Sequence, residues 1–394
     1  MTAAHFSAAL STLENTQEAL AEALAALRRG MGNRVPDLAL AFASPHHGPS
    51  RGELGPLLRE ATRARTVLGC MAQSVLAGGR EPENRPGLAL FAAKLPDTAI
   101  EPLRLGAVPG PSDTVLFTGM PDLGPAAETS VLLLVDPFHF PAEAFLERMN
   151  QDHPGVPVVG GLASAAHEAG QGVLFTGDGI EVEGAVGVAL RGAMGIRPVV
   201  SQGCRPVGRP WVVTAARDNL LLKLGGRPAV DVLMETLGEL PPDQRQLLQR
   251  GPFVGLALDA TKSTFARGDF LVRGLLGIQP QERALAVGDH VRRGQTVQFL
   301  VRDGASAGED LRQLLTEAGP AEGPQGALLF PCNGRGLRMF GVADHDSSVL
   351  LDVLGADTAV AGFAAAGELG PVDGTNFLHG FTASVALFRR QLGV

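Results

Sequence analysis

Tyrosine is absent from this chain of 394 residues, tryptophan occurs once, and aromatic residues make up 5%, nearly all of them phenylalanine. Stacking platforms for single-stranded nucleic acid and antibody-like contact surfaces lean on Tyr and Trp, so neither is indicated. Lysine is scarce too: Lys94, Lys223 and Lys262 stand against thirty arginines. With a net charge of −8 and a pI near 5.6, the chain has no basic footprint for nucleic acid or an anionic lipid surface. The three cysteines, Cys70, Cys204 and Cys332, are odd in number and lack C-x-x-C spacing. A disulfide framework and a thiolate zinc site are therefore not indicated, and a reducing cytoplasm is the expected location. The longest apolar runs are strand-sized, as from Val131 to Val135 before Asp136, and the first thirty residues carry Glu14, Glu18 and Glu22 in place of a basic leader. Neither a membrane span nor a signal peptide is expected.

What is present is a chain able to bury a core: 45% hydrophobic, 19% charged, mean hydropathy +0.14, with 51 Gly and 28 Pro. Its length favours two domains. Phe6, Leu10, Leu13, Gln17, Leu20, Leu24 and Leu27 recur at steps of four and three, which predicts one amphipathic helix over residues 1–30, stopped by Gly30 and Gly32. Strands are predicted at 37–43, 66–70, 87–93, 131–135 and 156–159, with helices at 54–65 and 142–150. The Gly-, Pro- and Arg-rich stretch 192–210 is expected to be a loop and the boundary between the halves. Beyond it, strands are predicted at 211–214, 253–259, 270–275 and 296–301, helices at 228–237 and 309–318, and a strand-rich close over 327–388. The two halves rhyme. Val158-Val159-Gly160-Gly161, then Val173-Leu174-Phe175, then Gly184 to Leu190 match Val360-Ala361-Gly362-Phe363, Asn376-Phe377-Leu378 and Thr382 to Leu387 in order and character. An internal duplication follows, and the expected fold is mixed α/β (α+β): two related lobes, each a mostly antiparallel or mixed sheet flanked by helices.

Three constellations carry possible chemistry. Gly304-Ala305-Ser306-Ala307-Gly308 matches the nucleophile elbow, but Ser306 with Glu309 also matches a helix capping box, and nothing local supplies an oxyanion hole. Pro331-Cys332-Asn333-Gly334-Arg335-Gly336 follows an apolar strand; its glycines let backbone amides and the Arg fork approach a carboxylate or phosphate. There Cys332 is either a nucleophile or an inert small residue, and Arg335 either a ligand contact or a turn stabiliser. Finally Glu368, Asn376, His379 and Thr382 are polar exceptions in a glycine-rich apolar segment. Glu368 can meet an amine or cap its turn, and His379 can pair with Glu368 or sit satisfied in the core. Asp344-His345-Asp346 looks metal-like, but no recurring ligand spacing supports a metal site. The P-loop, dinucleotide and H-E-x-x-H signatures are missing, and no cofactor is expected.

In Leu68-Gly69-Cys70, Val159-Gly160-Gly161, Gln202 to Gly208, Cys332 to Gly336, Gly362-Phe363, Gly367 to Pro371 and the His379 to Thr382 tail, taken in order, the chain resembles the FIST proteins, whose paired N- and C-terminal domains occur in sensory proteins. After the helix over 1–30, the resemblance implies an N-type domain over 31–215 and a C-type domain over 216–394. It also implies a sensory module that recognises a small molecule such as an amino acid and signals by recruiting a protein partner, and it does not imply an enzyme. On this reading strand ends from both lobes present Gly160, Gly161, Arg205, Cys332, Asn333, Arg335, Glu368 and His379 to a cleft between them. Arg335 and Arg205 hold a carboxylate, Glu368 an ammonium group, Asn333 sets orientation and His379 supports Glu368. The alternatives are an enzyme using Cys332 or Ser306 as nucleophile in acyl or amide transfer, and a protein-interaction scaffold.

Overall fold

The computed structural model describes residues 3–111, 114–171, 174–262, 264–319 and 326–391. It is mixed α/β and divides into two compact units, one made of Met1–Val200, Leu311–Leu378 and Ala383–Val394, the other of Ser201–Asp310 and His379–Thr382.

The first unit opens with β1 (His5–Ser11), α1 (Thr16–Met31), β2 (Leu38–Ala43), α2 (Arg51–Thr62), β3 (Thr66–Met71), β4 (Val75–Ala77) and β5 (Leu88–Lys94). The single helix predicted over 1–30 is thus a strand and a shorter helix. Phe6, Ser7, Ala9 and Ser11 bury themselves against β5, while the Asn15 side chain accepts from the amides of Gln17 and Glu18 and starts the helix there. Then come β6 (Thr98–Pro109), β7 (Val115–Thr118), β8 (Thr129–Val135), α3 (Ala142–Asp152), β9 (Val158–Leu162), β10 (Leu174–Thr176), β11 (Gly179–Glu181), β12 (Ala185–Gly192) and β13 (Met194–Gln202).

The second unit contains β14 (Cys204–Arg217), β15 (Leu220–Leu224), β16 (Arg227–Pro228), α4 (Ala229–Glu239), α5 (Pro242–Arg250), β17 (Phe253–Ala257), β18 (Phe270–Gln279), β19 (Ala284–Val287) and β20 (Thr296–Arg302). Its strands run in the order β14-β20-β17-β18-β19-β15-β16, and an additional β14–β15 pairing closes six of them into an antiparallel ring. Val254, Leu221, Leu285, Val297 and Phe299 form its core with α4 and α5 residues such as Val232 and Leu248. The stretch 192–210, expected as a loop, is strand on both sides of Gly203. Proline is tolerated there because β13 stands at the end of its sheet and β14, along Pro206 and Pro210, pairs with β20 and meets β15 only from Val213 on; the β14 register also shifts between Val207 and Trp211.

The chain returns to the first unit within α6 (Gly304–Ala318), followed by β21 (Gly326–Pro331), α7 (Leu337–Phe340), α8 (His345–Leu354), β22 (Ala359–Phe363), β23 (Glu368–Val372), β24 (Thr375–His379) and β25 (Thr382–Arg390). The sequence missed α8, whose first turn is polar.

The rhyme seen in the sequence lies within the first unit and has a third member there; Val173, one of its residues, falls outside the described residues. Three modules share one plan: two parallel strands joined through a helix, β2–β3, β8–β9 and β21–β22, with a later strand, β5, β12 or β25, beside the first, and an earlier one, β1, β6 or β13, outside that. Equivalent backbone bonds recur: the Ala72, Ala163 and Ala365 amides donate to the carbonyls of Ala43, Val135 and Pro331 at 2.9, 2.9 and 2.7 Å. Each second strand carries a glycine against its neighbour. A Cβ on Gly69, Gly160 or Gly362 would lie 2.2, 1.9 or 1.8 Å from the carbonyl oxygen of Ala41, Leu133 or Leu329, and Gly160 and Gly362 also have positive φ.

Each module hands a strand to another: β10 extends the sheet of the first, β23 that of the second, and β4 that of the third. Where the second strands end, the modules are laced together. The Gln73 amide donates to Ser164 Oγ (2.9 Å), that hydroxyl to the Ala364 carbonyl (2.5 Å), and the Ala364 amide to the Ser74 carbonyl (2.9 Å). A phenylalanine core joins the sheets, with Phe6, Phe91 and Phe388 in mutual contact and Phe42, Phe330 and Phe363 in another set. Among the described residues no helix is long and apolar enough to cross a membrane.

Candidate functional site

The loop leaving β21 is shaped by its own backbone. Cys332 bridges to Ala365, the Asn333 amide donates to the Ala365 carbonyl, the Arg335 amide donates to the Cys332 carbonyl, and the Gly334 amide meets Cys332 Sγ at 3.4 Å. This fold-back turns the Arg335 side chain inward until none of it is exposed. Its Nε and Nη2 donate to Asp346 Oδ2 and Oδ1 at 2.6 and 2.9 Å, a bidentate pair with a carboxylate that is 1% exposed. The third nitrogen, Nη1, is buried and has no hydrogen-bond partner among the described residues. Phe340 lies 5.2 Å from the guanidinium carbon and stacks on His345, whose Nδ1 shares Asp346 Oδ1.

A cleft of about 320 Å³ opens beside this pair. Asn333, Gly334, Arg335 and Arg338 form one wall, Gln73 to Leu76 another, and Glu81, Glu83 and Asn84, from the segment between β4 and β5, a third. That segment is pinned by charge. Glu81 Oε1 accepts from the Ser347 amide (2.6 Å), the Glu81 amide donates to Asp344 Oδ1 (2.6 Å), and Glu83 Oε1 accepts from the Leu337 amide (2.7 Å). Gly336 lets the Glu83 carboxylate come close, since a Cβ there would fall 2.5 Å from Glu83 Oε1 and push that side chain aside.

Electrostatics follows from this packing. Burial acts to raise the Asp346 carboxyl, but Arg335 and His345 outweigh it and hold it at about 2. Burial likewise opposes the Arg335 charge, which Asp346 more than restores, with Cys332 and Glu368 adding to it. Glu81 goes the other way: burial first, then Asp346 and Asp344, push it up to about 7 against the Ser347 hydrogen bonds. A carboxyl raised in the folded state contributes stability below its unfolded pKa that is lost as pH rises through the folded value. Glu81→Gln is therefore expected to flatten the fall in thermal midpoint between about pH 4.5 and 7, measured by calorimetry at half-unit steps; an unchanged slope would remove Glu81 from this role.

Of the residues singled out in the sequence, the first unit brings together six. Asn333 and Arg335 line the cleft, Cys332 stands at its strand end, and Gly160 and Gly161 pair with Leu369 and Glu368 in the neighbouring sheet. Glu368 is fully buried there. The other two belong to the second unit. Arg205 Nε donates to Asp303 Oδ2 at 2.9 Å, and His379 is 3% exposed at the end of β24. Ser306 is not the helix cap: α6 begins at Gly304, and the Ser306 hydroxyl donates to Asp303, which precedes the helix. Among the described residues no group of three or more His, Cys, Asp or Glu is placed to hold a metal ion, and the carboxylate of the metal-like Asp346 is taken by Arg335.

Sequence reasoning missed Gln73, Glu81 and Glu83, which lie far from the loop in the chain. It also missed a positional signal. The residue three after the strand-end residue Ser44, Asp136 or Cys332 is His47, His139 or Arg335. His47 is buried and bonded to Thr16, and His139 bonds Asp136 at 2.6 Å. Each module therefore places a cationic or imidazole side chain at the same strand end.

Fold and cleft define a two-unit α/β protein with a polar recess built around one buried guanidinium. The FIST N domain matches residues 37–227 and the FIST C domain residues 229–371, so the chain belongs to the FIST family. It is 43% identical over 382 residues to an uncharacterized protein of Mycobacterium tuberculosis, covering 96% of this chain and 98% of that one. It is 41% identical over 380 residues to an uncharacterized protein of Mycobacterium bovis, covering 96% and 97%. FIST domains are generally sensory, small-ligand-binding domains.

Proposed function

We propose that this chain is a cytoplasmic sensory protein that recognises an amino acid at the Arg335 cleft and reports its occupancy to a protein partner. The observation that carries the reading is the unpartnered Nη1 of buried Arg335 beside a polar cleft of about 320 Å³, at the small end of the range for ligand pockets. A buried donor left without an acceptor is costly, and a ligand oxygen relieves that cost. Charge selects the rest of the ligand. Besides Arg335, which Asp346 already balances, the lining sets Arg338 against Glu81 and Glu83, so a zwitterion, which adds no net charge, suits the cleft better than a simple carboxylate. Its carboxylate faces Arg335 Nη1 and Asn333, and its ammonium group faces Glu81 and Glu83. The ammonium partner proposed from the sequence, Glu368, is thereby replaced by residues of the β4–β5 segment.

A thermal-shift screen of amino acids against the matching carboxylates and amines tests this. A true ligand at about a hundred times its Kd stabilises by about 2.7 kcal/mol. Asn333→Ala is expected to abolish that shift while leaving the unliganded midpoint in place. Equal responses to amino acids and bare carboxylates, or none to either, would sink the zwitterion reading.

A further inference from the structure

A second recess, of about 80 Å³, lies in the first unit where α2, β3, β6 and the β10–β11 turn meet. Three guanidinium groups converge on it in a chain of net charge −8: Arg59 from the last turn of α2, Arg65 just before β3 and Arg104 from β6. Asp178 at the turn is gripped by two of them. Arg59 Nη1 donates to its Oδ1 at 2.5 Å, and Arg104 Nη2 donates to its Oδ2 and, at 3.2 Å, to Thr176 Oγ1. Arg104 also faces Glu181 Oε1 at 3.4 Å. Two groups in the recess are left over. Arg65 has no ion-pair partner among the described residues. Thr66, 5% exposed, has a buried hydroxyl with no hydrogen-bond partner among them.

The platform is tightly built. Phe175 and Thr176 pair with Gly69 and Leu68, the Gly177 amide donates to the Val67 carbonyl, and a Cβ on Gly177 would stand 2.9 Å from Arg59 Cδ. Any larger residue at this position would have to displace the Arg59 side chain from its place along the turn.

We propose that this recess binds a phosphate-class oxyanion through Arg59, Arg65, Arg104 and Thr66, and that Asp178 is the intramolecular carboxylate occupying the guanidinium fork in its absence. The two oxygens of a carboxylate are used up by Arg59 and Arg104, leaving Arg65 and Thr66 unserved. A tetrahedral phosphate has oxygens for all four, in the forked geometry that guanidinium groups favour. Charge agrees: with Asp178 displaced, three arginines against Glu181 leave two positive charges for a dianion. Size agrees as well. A recess of about 80 Å³ has room for one tetrahedral anion. The ligand is free phosphate or the phosphate of a small monoester.

Calorimetric titration of inorganic phosphate and of O-phosphoserine into the full chain, at ionic strength held constant with chloride, tests the site. Saturable binding is expected, and Asp178→Asn, which removes the competing charge at an exposed position, is expected to tighten it about tenfold. Adding Arg65→Gln to that variant is expected to remove the gain. Binding of phosphate alone identifies the free anion, and binding of both a monoester site. No saturable signal in Asp178→Asn, or an equal one from acetate, overturns the proposal. Should Asp178→Asn fail to fold, the comparison of the unaltered chain with Arg65→Gln decides: phosphate binding unchanged by loss of the exposed Arg65 overturns it equally.

Discussion

Asp346→Ala is expected to destabilise the first unit by about 3–5 kcal/mol, the cost of stranding one member of a buried ion pair. Arg335 and Asp346 are 0% and 1% exposed, so the change leaves a buried guanidinium without its carboxylate. Replacing both partners, as Arg335→Met with Asp346→Leu, is expected to recover most of the loss, because a well-packed apolar pair avoids the desolvation that the ions incur. Chemical denaturation of the three variants measures this, and a double variant no more stable than Asp346→Ala would refute it. Acid acts on the same pair. The folded-state pKa of Asp346 is depressed, to about 2, so its contribution is present above the unfolded value near 4 and is lost as pH falls from there toward 2. The double variant is expected to lack that acid sensitivity, and also the ligand response, since Nη1 goes with the arginine.

A comparable loss is expected from Gly362→Ala, a change of one methyl group. The added Cβ would sit 1.8 Å from the Leu329 carbonyl oxygen and 2.8 Å from its carbon, and neither can retreat while β21 and β22 stay paired in parallel. The residue also holds φ at +159°, which L side chains rarely adopt. Overpacking alone typically costs about 1–3 kcal/mol, so with the backbone term the expected loss is about 3 kcal/mol or more. Gly160→Ala, 1.9 Å from the Leu133 carbonyl, is expected to match it. Gly374→Ala is the control: it also has positive φ, but nothing stands within 4 Å of its Cβ position, so it should carry the backbone term alone. Thermal midpoints of the three variants separate the two contributions. A Gly362→Ala midpoint equal to that of Gly374→Ala would show that the close approach is not what the glycine is for.

Much of this was legible in the sequence where apolar patterning is local. The strands β2, β3, β5 and β8 coincide within a residue or two with runs of small and branched apolar residues, and α3 with its amphipathic stripe. Patterning failed where tertiary pairing overrides it. Phe6 and Leu10 fit a helical spacing, yet β5 offers a strand edge with matching register, and Asn15 caps a helix that starts later. Pro198, Pro206 and Pro210 look like loop residues but sit where a strand has a neighbour on one side: β13 ends its sheet, and β14 meets β15 only from Val213 on. At the site, the Cys332 to Gly336 loop was visible because an Arg and an Asn among glycines are unusual after an apolar strand. The partner of that Arg was visible only as a polar oddity, and the Glu81 and Glu83 wall not at all, because a contact between residues so far apart in the chain leaves no local spacing to read. The repeated glycine at the second strand is legible in the sequence at Gly160 and Gly362 but not at Gly69, because the segments joining the paired strands differ in length and pattern.

The exchange of strands among the three modules bears on how the protein is made. The edge of β22 is covered by β4, with Leu76 paired to Gly362, and these residues leave the ribosome far apart in time, with Ser201–Asp310 of the second unit synthesised between them. Closing so long a loop is entropically costly and slow relative to local pairing. Throughout that interval the nascent first two modules hold β4 without its strand partner, a state in which sheet edges are prone to pair with other chains. Arrival of β21 to β25 ends the exposure, so the last module to be translated serves as the kinetic lock on the two before it.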